Sequence, residues 1–338
     1  MSARVISASA VELTEVVDGA RTARFQETSL ALPDAGALAL VRKRLAPTAV
    51  PPRTPLLLVH GFGQNLHAWH LSRRSLVNHL AAEGHDVFSI DRRGHGRSRS
   101  AGALPAGAID LHVHNDLPAA MDAIASVTGL PRVVLIGHSL GGMLSYAATA
   151  QWPDRVRAIV TLATPYFWGR DAAFVRALSR AAAIVGRGDG AALAFPMRAV
   201  QGLLRATQTL WDTHWLPMPI RAWHPGGFEP EVLAEYLARS FDEATFGELA
   251  HLTDSSADAS GHFARAFEDC DVPLLVVAGS HDHLARPAAV RPAFERSRAR
   301  DRTFVMFPCG HGDLVLGRKA PQLLWPTLSR WLLRHTSP

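Results

Sequence analysis

Short runs of apolar residues recur along this chain of 338 residues, and helical patterning separates them. Runs of this length and composition are typical of strands that are buried on both faces of a parallel sheet. Their regular alternation with helices predicts an α/β protein with a mostly parallel, doubly wound sheet. The runs lie at 56–59, 86–90, 131–136, 155–163, 272–278 and 303–307.

The alternation is interrupted in the second half of the chain. From 166 to 268 the pattern is helical, prolines break it, and buried-strand runs are absent. A stretch of this length between two α/β segments is typical of an insertion. We therefore predict a helical cap, residues 166–268, inserted into a core domain that comprises residues 1–165 and 269–338.

The N-terminal region differs from the rest. Residues 1–20 are only weakly patterned. The segments 23–30 and 37–44 flank a Pro-Asp-Ala-Gly sequence, and proline and glycine at such a position are typical of a turn. This arrangement predicts an antiparallel hairpin that precedes the parallel strands.

The most specific motif follows the third apolar run. Gly137-His138-Ser139-Leu140-Gly141 has the G-x-S-x-G form, and a helical pattern comes after it. A sharp turn between a strand and a helix presents the serine hydroxyl at the edge of a sheet, and glycines leave room for that turn. Ser139 is therefore the candidate covalent nucleophile. The alternative is a glycine-rich turn that only packs a helix against a strand.

A serine nucleophile needs a base and a group that orients the base. In elbow-bearing folds the acid follows the serine, and the histidine follows the acid. Asp282 comes just after the fifth apolar run, and His311 follows the sixth. Because the carboxyl ends of parallel strands share one edge of a sheet, both are expected beside Ser139. Asp313 and Asp254 are weaker candidates for the acid.

Hydrogen-bond donors must stabilise the negative charge that develops on the substrate oxygen. One expected donor is the main-chain amide of Leu140, which follows the nucleophile. The second is expected from the loop after the first buried strand, here His60-Gly61-Phe62-Gly63. We predict the Phe62 amide for this oxyanion hole, with the Gly63 amide as the alternative.

Several aromatic residues are candidates for binding the substrate. His138 precedes the nucleophile, and Trp211, Trp215 and Trp223 lie in the predicted cap. Pockets lined by aromatic side chains bind apolar acyl or alkyl groups. The alternative is that the tryptophans form the hydrophobic core of the cap itself and that His138 packs beside the site.

Composition and residue spacing argue against several classes of function. Apolar residues make up 48% of the chain and charged residues 19%, which favours a globular protein with a substantial core. Basic residues are interleaved with acidic ones, so we expect no nucleic-acid partner. No metal-ligand spacing occurs, and we expect neither a metal nor another cofactor. The two cysteines, Cys270 and Cys309, are expected to be free thiols.

The sequence also predicts where the protein resides. An uninterrupted apolar run of about 18 residues, as a membrane span requires, is absent from the sequence. The first residues lack the long apolar stretch of a secretory signal, and acidic residues follow soon after. We therefore expect a cytoplasmic protein without a membrane span. The oligomeric state is not indicated by any pattern.

The motifs at 60–63 and 137–141, followed in order by Asp282 and His311, resemble those of the α/β-hydrolase fold superfamily. The segment 91–98 is similar to the superfamily's loop after its second parallel strand. This resemblance extends over about residues 25–335, and it implies the α/β-hydrolase fold. The cap region is covered least.

Further stretches are more narrowly similar to acid lipases and polyhydroxyalkanoate synthase-like hydrolases. Those synthases carry cysteine at the elbow, whereas this chain has Ser139, so ester hydrolysis is favoured over polymerisation. The aspartate that epoxide hydrolases and haloalkane dehalogenases carry there is also absent. The stretches lie at 69–76, 83–87 and 310–317.

These observations predict a serine hydrolase that cleaves a carboxylic ester of a fairly apolar small molecule through an acyl-enzyme on Ser139. An acyltransferase or cyclase with the same triad is one alternative. A non-catalytic ligand-binding protein of the same fold is another, and a cofactor-free haloperoxidase-like enzyme is a third. The identity of the ester is not encoded in the fold.

Overall fold

A nine-stranded sheet forms the centre of the computed structural model, which describes residues 5–33, 36–47, 53–166, 173–186, 191–215, 220–254 and 266–336. The strand order is β1-β2-β3-β5-β4-β6-β7-β10-β11. These strands are β1 (Ile6–Asp18), β2 (Arg21–Leu32), β3 (Leu38–Leu45), β4 (Leu56–Val59), β5 (Val87–Asp91), β6 (Val133–His138), β7 (Val156–Leu162), β10 (Leu274–Gly279) and β11 (Arg302–Phe307).

Six neighbouring strands of this sheet run parallel. Strand β4 pairs with β5 and β6, and the parallel pairing continues through β7 and β10 to β11. Every residue of β4, β5, β6 and β10 is buried, as expected for strands that are covered on both faces. The predicted parallel α/β sheet is therefore confirmed.

Helices cover both faces of the sheet. Adjacent residues of β4 show this division, since Leu56 and Leu58 belong to one hydrophobic cluster while Leu57 and Val59 belong to the other. Among the described residues, no helix combines the length and apolarity needed to cross a bilayer. The helices outside 166–268 are α1 (Leu76–Ala82), α2 (Gly96–Ser100), α3 (Leu117–Thr128), α4 (Leu140–Gln151), α10 (Pro287–Val290), α11 (Pro292–Arg296), α12 (Asp313–Leu316) and α13 (Leu324–His335).

The N-terminal strands extend the sheet in antiparallel fashion. Strands β2 and β3 form the predicted hairpin, with Leu32 opposite Leu38, and β3 pairs antiparallel with β5. Strand β1 pairs with β2 and is an element that the sequence analysis missed. It lies at the edge of the sheet, where Val11 and Leu13 remain exposed, so it contains no buried apolar run.

In its described part, the segment 166–268 contains mainly helices and one short antiparallel pair of strands. Its main chain is joined to the loop after β4, because Asp242 donates to the Gly63 carbonyl over 2.9 Å and Asn65 donates to the Ser240 carbonyl over 3.1 Å. Its assignment as a separate cap domain stays a prediction. The elements are α5 (Ala173–Val185), β8 (Ala194–Phe195), α6 (Met197–Ala206), α7 (Gln208–Trp211), α8 (Pro230–Arg239), β9 (Ala244–Thr245) and α9 (Phe246–Asp254).

Candidate active site

Ser139 occupies the single-residue turn between β6 and α4. Its φ of 53° and ψ of −122° lie in a region that non-glycine residues rarely adopt. The approach of helix and strand is close, since a Cβ on Gly141 would overlap the Val59 carbonyl and a Cβ on Gly137 would overlap the main chain of Gly142. The local geometry is therefore that of a nucleophile elbow, with the half-buried serine presented at the carboxyl edge of the sheet.

The predicted acid and base form a hydrogen-bonded pair. His311 Nδ1 lies 2.8 Å from Oδ2 of Asp282, whose side chain is fully buried. Oδ1 of Asp282 accepts main-chain hydrogen bonds of 2.8 Å from Leu284 and Ala285. A carboxylate held in this way accepts the Nδ1 proton, which leaves Nε2 of His311 with a lone pair that can accept a proton.

His138, next to Ser139 in the elbow, contacts the loop that carries His311. Its ring centroid lies 4.7 Å from that of His311, and its Nε2 lies 3.2 Å from the His311 carbonyl oxygen. Burial, together with the neighbouring His311, lowers the pKa of His138 well below its ordinary value. His138 is only 2% exposed, so its ring packs between the two loops. Its predicted contact with substrate stays a prediction.

The weaker candidates for the acid differ in position. Asp313 accepts hydrogen bonds from the main-chain amides of Gly310, at 2.9 and 3.0 Å, and of His224, at 2.9 Å. Burial raises the pKa of Asp313 to about 6. Its contacts fix the loop that carries His311, whereas Asp282 contacts the imidazole itself. The side chain of Asp254 lies outside the described residues.

The loop after β4 approaches the elbow closely. A Cβ placed on Gly61 would lie only 3.2 Å from Cβ of Ser139. In the described part of the chain, neither the Phe62 amide nor the Leu140 amide donates to a protein acceptor. Both N–H groups are therefore available to a ligand, as an oxyanion hole requires. Gly63, the alternative donor, has a φ of 59°.

The three predicted tryptophans occupy different environments. Trp223 is 1% exposed within the core and donates from Nε1 to Asp212 over 3.1 Å. Trp211 is half-buried and donates from Nε1 to Thr207 over 2.9 Å. Trp215 is 76% exposed. Trp211 packs against the hydrophobic cluster that contains Trp223, and the role of all three indoles in substrate binding stays a prediction.

Two residues near the elbow, Met143 and Phe246, were missed by the sequence analysis. Phe62 and Met143 pack against a cluster in segment 166–268, where the Phe62 and Phe195 rings are 5.9 Å apart and the Phe195 and Phe246 rings 5.5 Å apart. Met143 lies one helical turn after Ser139, a spacing that places both on one helix face. That spacing was the available signal for Met143, while Phe246 gave none.

The described residues form no candidate metal site, and a cavity that they line lies away from the elbow. Among the described residues, no group of three or more His, Cys, Asp or Glu could hold a metal ion. A cavity of about 640 Å³ includes His85 and Asp86, which precede β5, so it opens at the amino edge of the parallel strands. Cys270 and Cys309 are free thiols, as expected.

This strand order, with an elbow serine and an Asp–His pair at one sheet edge, defines the class of α/β hydrolases. A family model described as alpha/beta hydrolase fold matches residues 54–317. The chain belongs to this family, and the predicted fold is thereby confirmed.

Curated relatives include lipases and a polymerase. The human "(Lyso)-N-acylphosphatidylethanolamine lipase" is 36% identical over 120 residues, which are 35% of this chain and 31% of that protein. The matched region thus spans less than a third of this relative's length. The "Poly(3-hydroxyalkanoate) polymerase subunit PhaC" of Thiocystis violacea is 22% identical over 87% of this chain and 85% of its own.

Solved structures share the fold across nearly their whole length. A Paleococcus ferrophilus monoacylglycerol lipase superposes with a TM-score of 0.62 at 19% identity, covering 88% of this chain and 99% of that one. A soluble variant of the Saccharomyces cerevisiae monoglyceride lipase gives a TM-score of 0.62 at 14% identity, covering 96% of each chain. These likenesses concern the fold alone.

Proposed function

We propose that this protein hydrolyses carboxylic esters of fairly apolar small molecules through an acyl-enzyme on Ser139. The observation that carries the proposal is the hydrogen-bonded His311–Asp282 pair at the sheet edge where Ser139 occupies a strained elbow. An oriented imidazole beside an elbow serine is the arrangement that activates a hydroxyl as a nucleophile.

In the proposed reaction, Oγ of Ser139 attacks the ester carbonyl while Nε2 of His311 takes its proton. The resulting oxyanion accepts hydrogen bonds from the amides of Phe62 and Leu140. The tetrahedral intermediate collapses, the C–O bond to the alcohol breaks, and His311 gives the alcohol its proton. A water molecule, deprotonated by His311, then attacks the acyl group, and the carboxylic acid leaves as Ser139 regains its proton.

The apolar nature of the substrate is proposed from the side chains beside the elbow. Phe62 and Met143 pack, together with Phe195 and Phe246, against one hydrophobic cluster of segment 166–268, and apolar surface of this kind favours acyl chains over charged groups. Several of the matching structures are those of lipases and esterases, which supports the same substrate class.

The decisive experiment compares the wild type with Ser139→Ala on p-nitrophenyl esters and on a fluorophosphonate probe. We expect the wild type to hydrolyse the esters and to be labelled, and the variant to lose both while its thermal unfolding is unchanged. Ester cleavage retained by the folded variant would contradict the assignment of Ser139. Absence of labelling in the wild type would instead favour a binding protein.

A product analysis with added alcohols or amines separates hydrolysis from acyl transfer. If water is the acceptor, the free acid accumulates regardless of the added nucleophile. If the protein is an acyltransferase or a cyclase, the new ester, amide or lactone appears instead, because the same acyl-enzyme is then attacked by another nucleophile.

A further inference from the structure

A buried ion pair connects segment 166–268 to the core next to the elbow. Arg92 follows β5 and Glu248 lies in the first turn of α9, and both side chains are at most 1% exposed. Arg92 Nη1 donates to Oε1 of Glu248 over 2.6 Å. Burial alone raises the pKa of Glu248, but the charge of Arg92 and a hydrogen bond from His112 hold it well below its ordinary value. The pair is therefore charged.

The other arm of the same guanidinium contacts the loop after β4. Arg92 Nη2 donates to the Gly61 carbonyl oxygen over 3.1 Å. The main-chain N–H of Arg92 donates to Nε2 of His60 over 3.1 Å, so the imidazole proton of His60 resides on Nδ1, which lies 3.1 Å from the same oxygen. Burial lowers the pKa of His60 well below its ordinary value, so the ring is neutral.

The Gly61 carbonyl and the Phe62 N–H belong to one peptide group. That group is planar and trans, so its C=O and its N–H point in opposite directions. Donors that fix the carbonyl oxygen therefore also fix the direction of the N–H. A cationic donor at the oxygen further polarises the peptide, which makes its N–H a stronger donor to an anion.

We propose that Arg92 is a positioning residue for the oxyanion hole: it orients and polarises the Gly61–Phe62 peptide, and Glu248 holds it in place from α9. The inference rests on the proposed function. A buried ion pair is weak evidence for stability, because its desolvation cost offsets much of its attraction. The hydrogen bond from Arg92 to the Gly61 carbonyl oxygen gives the ion pair a role in orienting the oxyanion hole, which a contribution to stability would not provide.

Glu248 also fixes the start of its own helix. Oγ1 of Thr245 accepts a hydrogen bond of 3.0 Å from the Glu248 amide, and Oε2 of Glu248 lies 3.3 Å from the Thr245 amide. This reciprocal arrangement is a capping box. Glu248 therefore links three features: the first turn of α9, the guanidinium of Arg92 and, through Arg92, the peptide that carries the Phe62 N–H.

The test replaces both charges at once, because removing Arg92 alone would leave the buried Glu248 carboxylate without its guanidinium partner. In Arg92→Gln/Glu248→Gln the glutamine at 248 can still complete the capping box. The matched control is Arg74→Gln/Glu229→Gln. Arg74 is also buried and binds Glu229 through two hydrogen bonds of 2.8 and 3.0 Å, which likewise join the core to segment 166–268.

The readouts are kcat, KM and the inhibition constant of a trifluoromethyl ketone, whose adduct with serine carries an oxyanion. For Arg92→Gln/Glu248→Gln we expect kcat to fall by about 10- to 100-fold, below the roughly 10²- to 10³-fold loss typical of deleting a donor. KM should change less than threefold, and the ketone should bind more weakly by a factor similar to the loss in kcat. The control pair should leave kcat within threefold of wild type.

If the double variant does not fold, Arg92→Lys replaces it and Arg74→Lys becomes its control. A lysine keeps the charge but cannot span both Glu248 and Gly61 in the fixed geometry of a guanidinium, so kcat should still fall by about tenfold. Equal losses in both pairs, or an unchanged kcat after Arg92 is replaced, would overturn this inference alone. A wild type that neither cleaves esters nor reacts with the fluorophosphonate would overturn the proposed function as well.

Discussion

His311 Nδ1 lies 2.8 Å from Oδ2 of Asp282, and Oδ1 of the same carboxylate accepts hydrogen bonds from two main-chain amides. The histidine is thus oriented by an anion that is itself fixed. An asparagine at 282 could keep both main-chain contacts through Oδ1, but its NH₂ group would then face Nδ1 of His311 and favour the wrong imidazole tautomer. We predict that Asp282→Asn lowers kcat by about 10³- to 10⁴-fold with little change in KM.

The measurement for Asp282→Asn is steady-state hydrolysis of a p-nitrophenyl ester, with thermal unfolding recorded in parallel. Asp271→Asn is the control, since Asp271 forms an exposed pair with Arg300 at the other end of β10. A rate for Asp282→Asn equal to that of the control would show that another group orients His311.

Stability should depend on pH chiefly through buried histidines. Burial lowers the pKa of His60 and His138 well below the ordinary value, and that of His85 and His95 to about 4. Between pH 6.5 and 4 the unfolded chain therefore binds protons at these positions that the native protein does not bind. Their contribution to stability is lost as the pH falls through this window.

Two buried carboxyl groups act in the opposite direction. Burial raises the pKa of Asp91 and Asp313 to about 6, so the native protein binds these protons between about pH 4 and 6 while the unfolded chain does not. Burial also lowers the pKa of His70 to about 4 and lowers that of His67 and His79, so the histidines outnumber the two carboxyl groups and the unfolded state carries an excess of several protons. We predict that the free energy of unfolding decreases on acidification from about pH 6 to 4.5 by more than about 1.4 kcal/mol per pH unit, the slope that one excess proton gives.

Urea denaturation at a series of pH values measures this slope. His85→Leu removes one histidine whose two ring nitrogens have no hydrogen-bond partner in the described structure, and it should reduce the slope by about one proton. Asp91→Asn should increase the slope by a similar amount. Slopes that do not change in opposite directions would contradict this origin of the pH dependence.

The start of α9 should depend on its cap. Thr245 Oγ1 accepts from the Glu248 amide and donates to the Ala106 carbonyl over 2.7 Å. We predict that Thr245→Ala lowers the free energy of unfolding by about 1–2 kcal/mol, because a helix N-terminus loses its side-chain acceptor. Thr245→Ser keeps the hydroxyl and should restore most of the loss. Equal unfolding midpoints for the two variants in urea would disprove this role.

Chain-length preference should depend on Phe195, which packs against Phe62 in the loop beside the elbow. We predict that Phe195→Ala reduces kcat/KM for an octanoate ester by about tenfold relative to the acetate ester, since apolar contact with the longer chain is lost. Phe294→Ala is the control, because Phe294 packs against Phe304 of β11. The same octanoate-to-acetate ratio in both variants would argue against an acyl-binding role for Phe195.

The sheet and the elbow could be predicted from local sequence. A strand that is buried on both faces is a continuous run of apolar residues, and this run is visible in the sequence. Strand β4 is four apolar residues in a row, and the glycines around Ser139 are required by close contacts with the main chain of α4 and of β4. The order of Ser139, Asp282 and His311 along the chain predicted their shared edge, since each follows a parallel strand.

Other features depend on contacts between distant segments, which local patterns do not record. Arg92 and Glu248 are 156 positions apart. In the sequence each looks like an ordinary charged surface residue, and only the fold shows that both are buried. Edge strand β1 was missed for a different reason, because one side of it faces solvent and its apolar residues are diluted by small polar ones. The sequence identified the tryptophans at 211, 215 and 223 as candidates for substrate binding, but it did not predict how far each side chain is exposed.

The joining of Gly63 and Asn65 to Ser240 and Asp242 combines two main-chain hydrogen bonds with one between side chains, since Nδ2 of Asn65 donates to Oδ2 of Asp242 over 2.9 Å. Every residue type except proline carries the main-chain N–H and C=O groups, so only positions 65 and 242 of this attachment require particular side chains. Over evolutionary time the rest of segment 166–268 can therefore change its side chains while the attachment beside the elbow is retained.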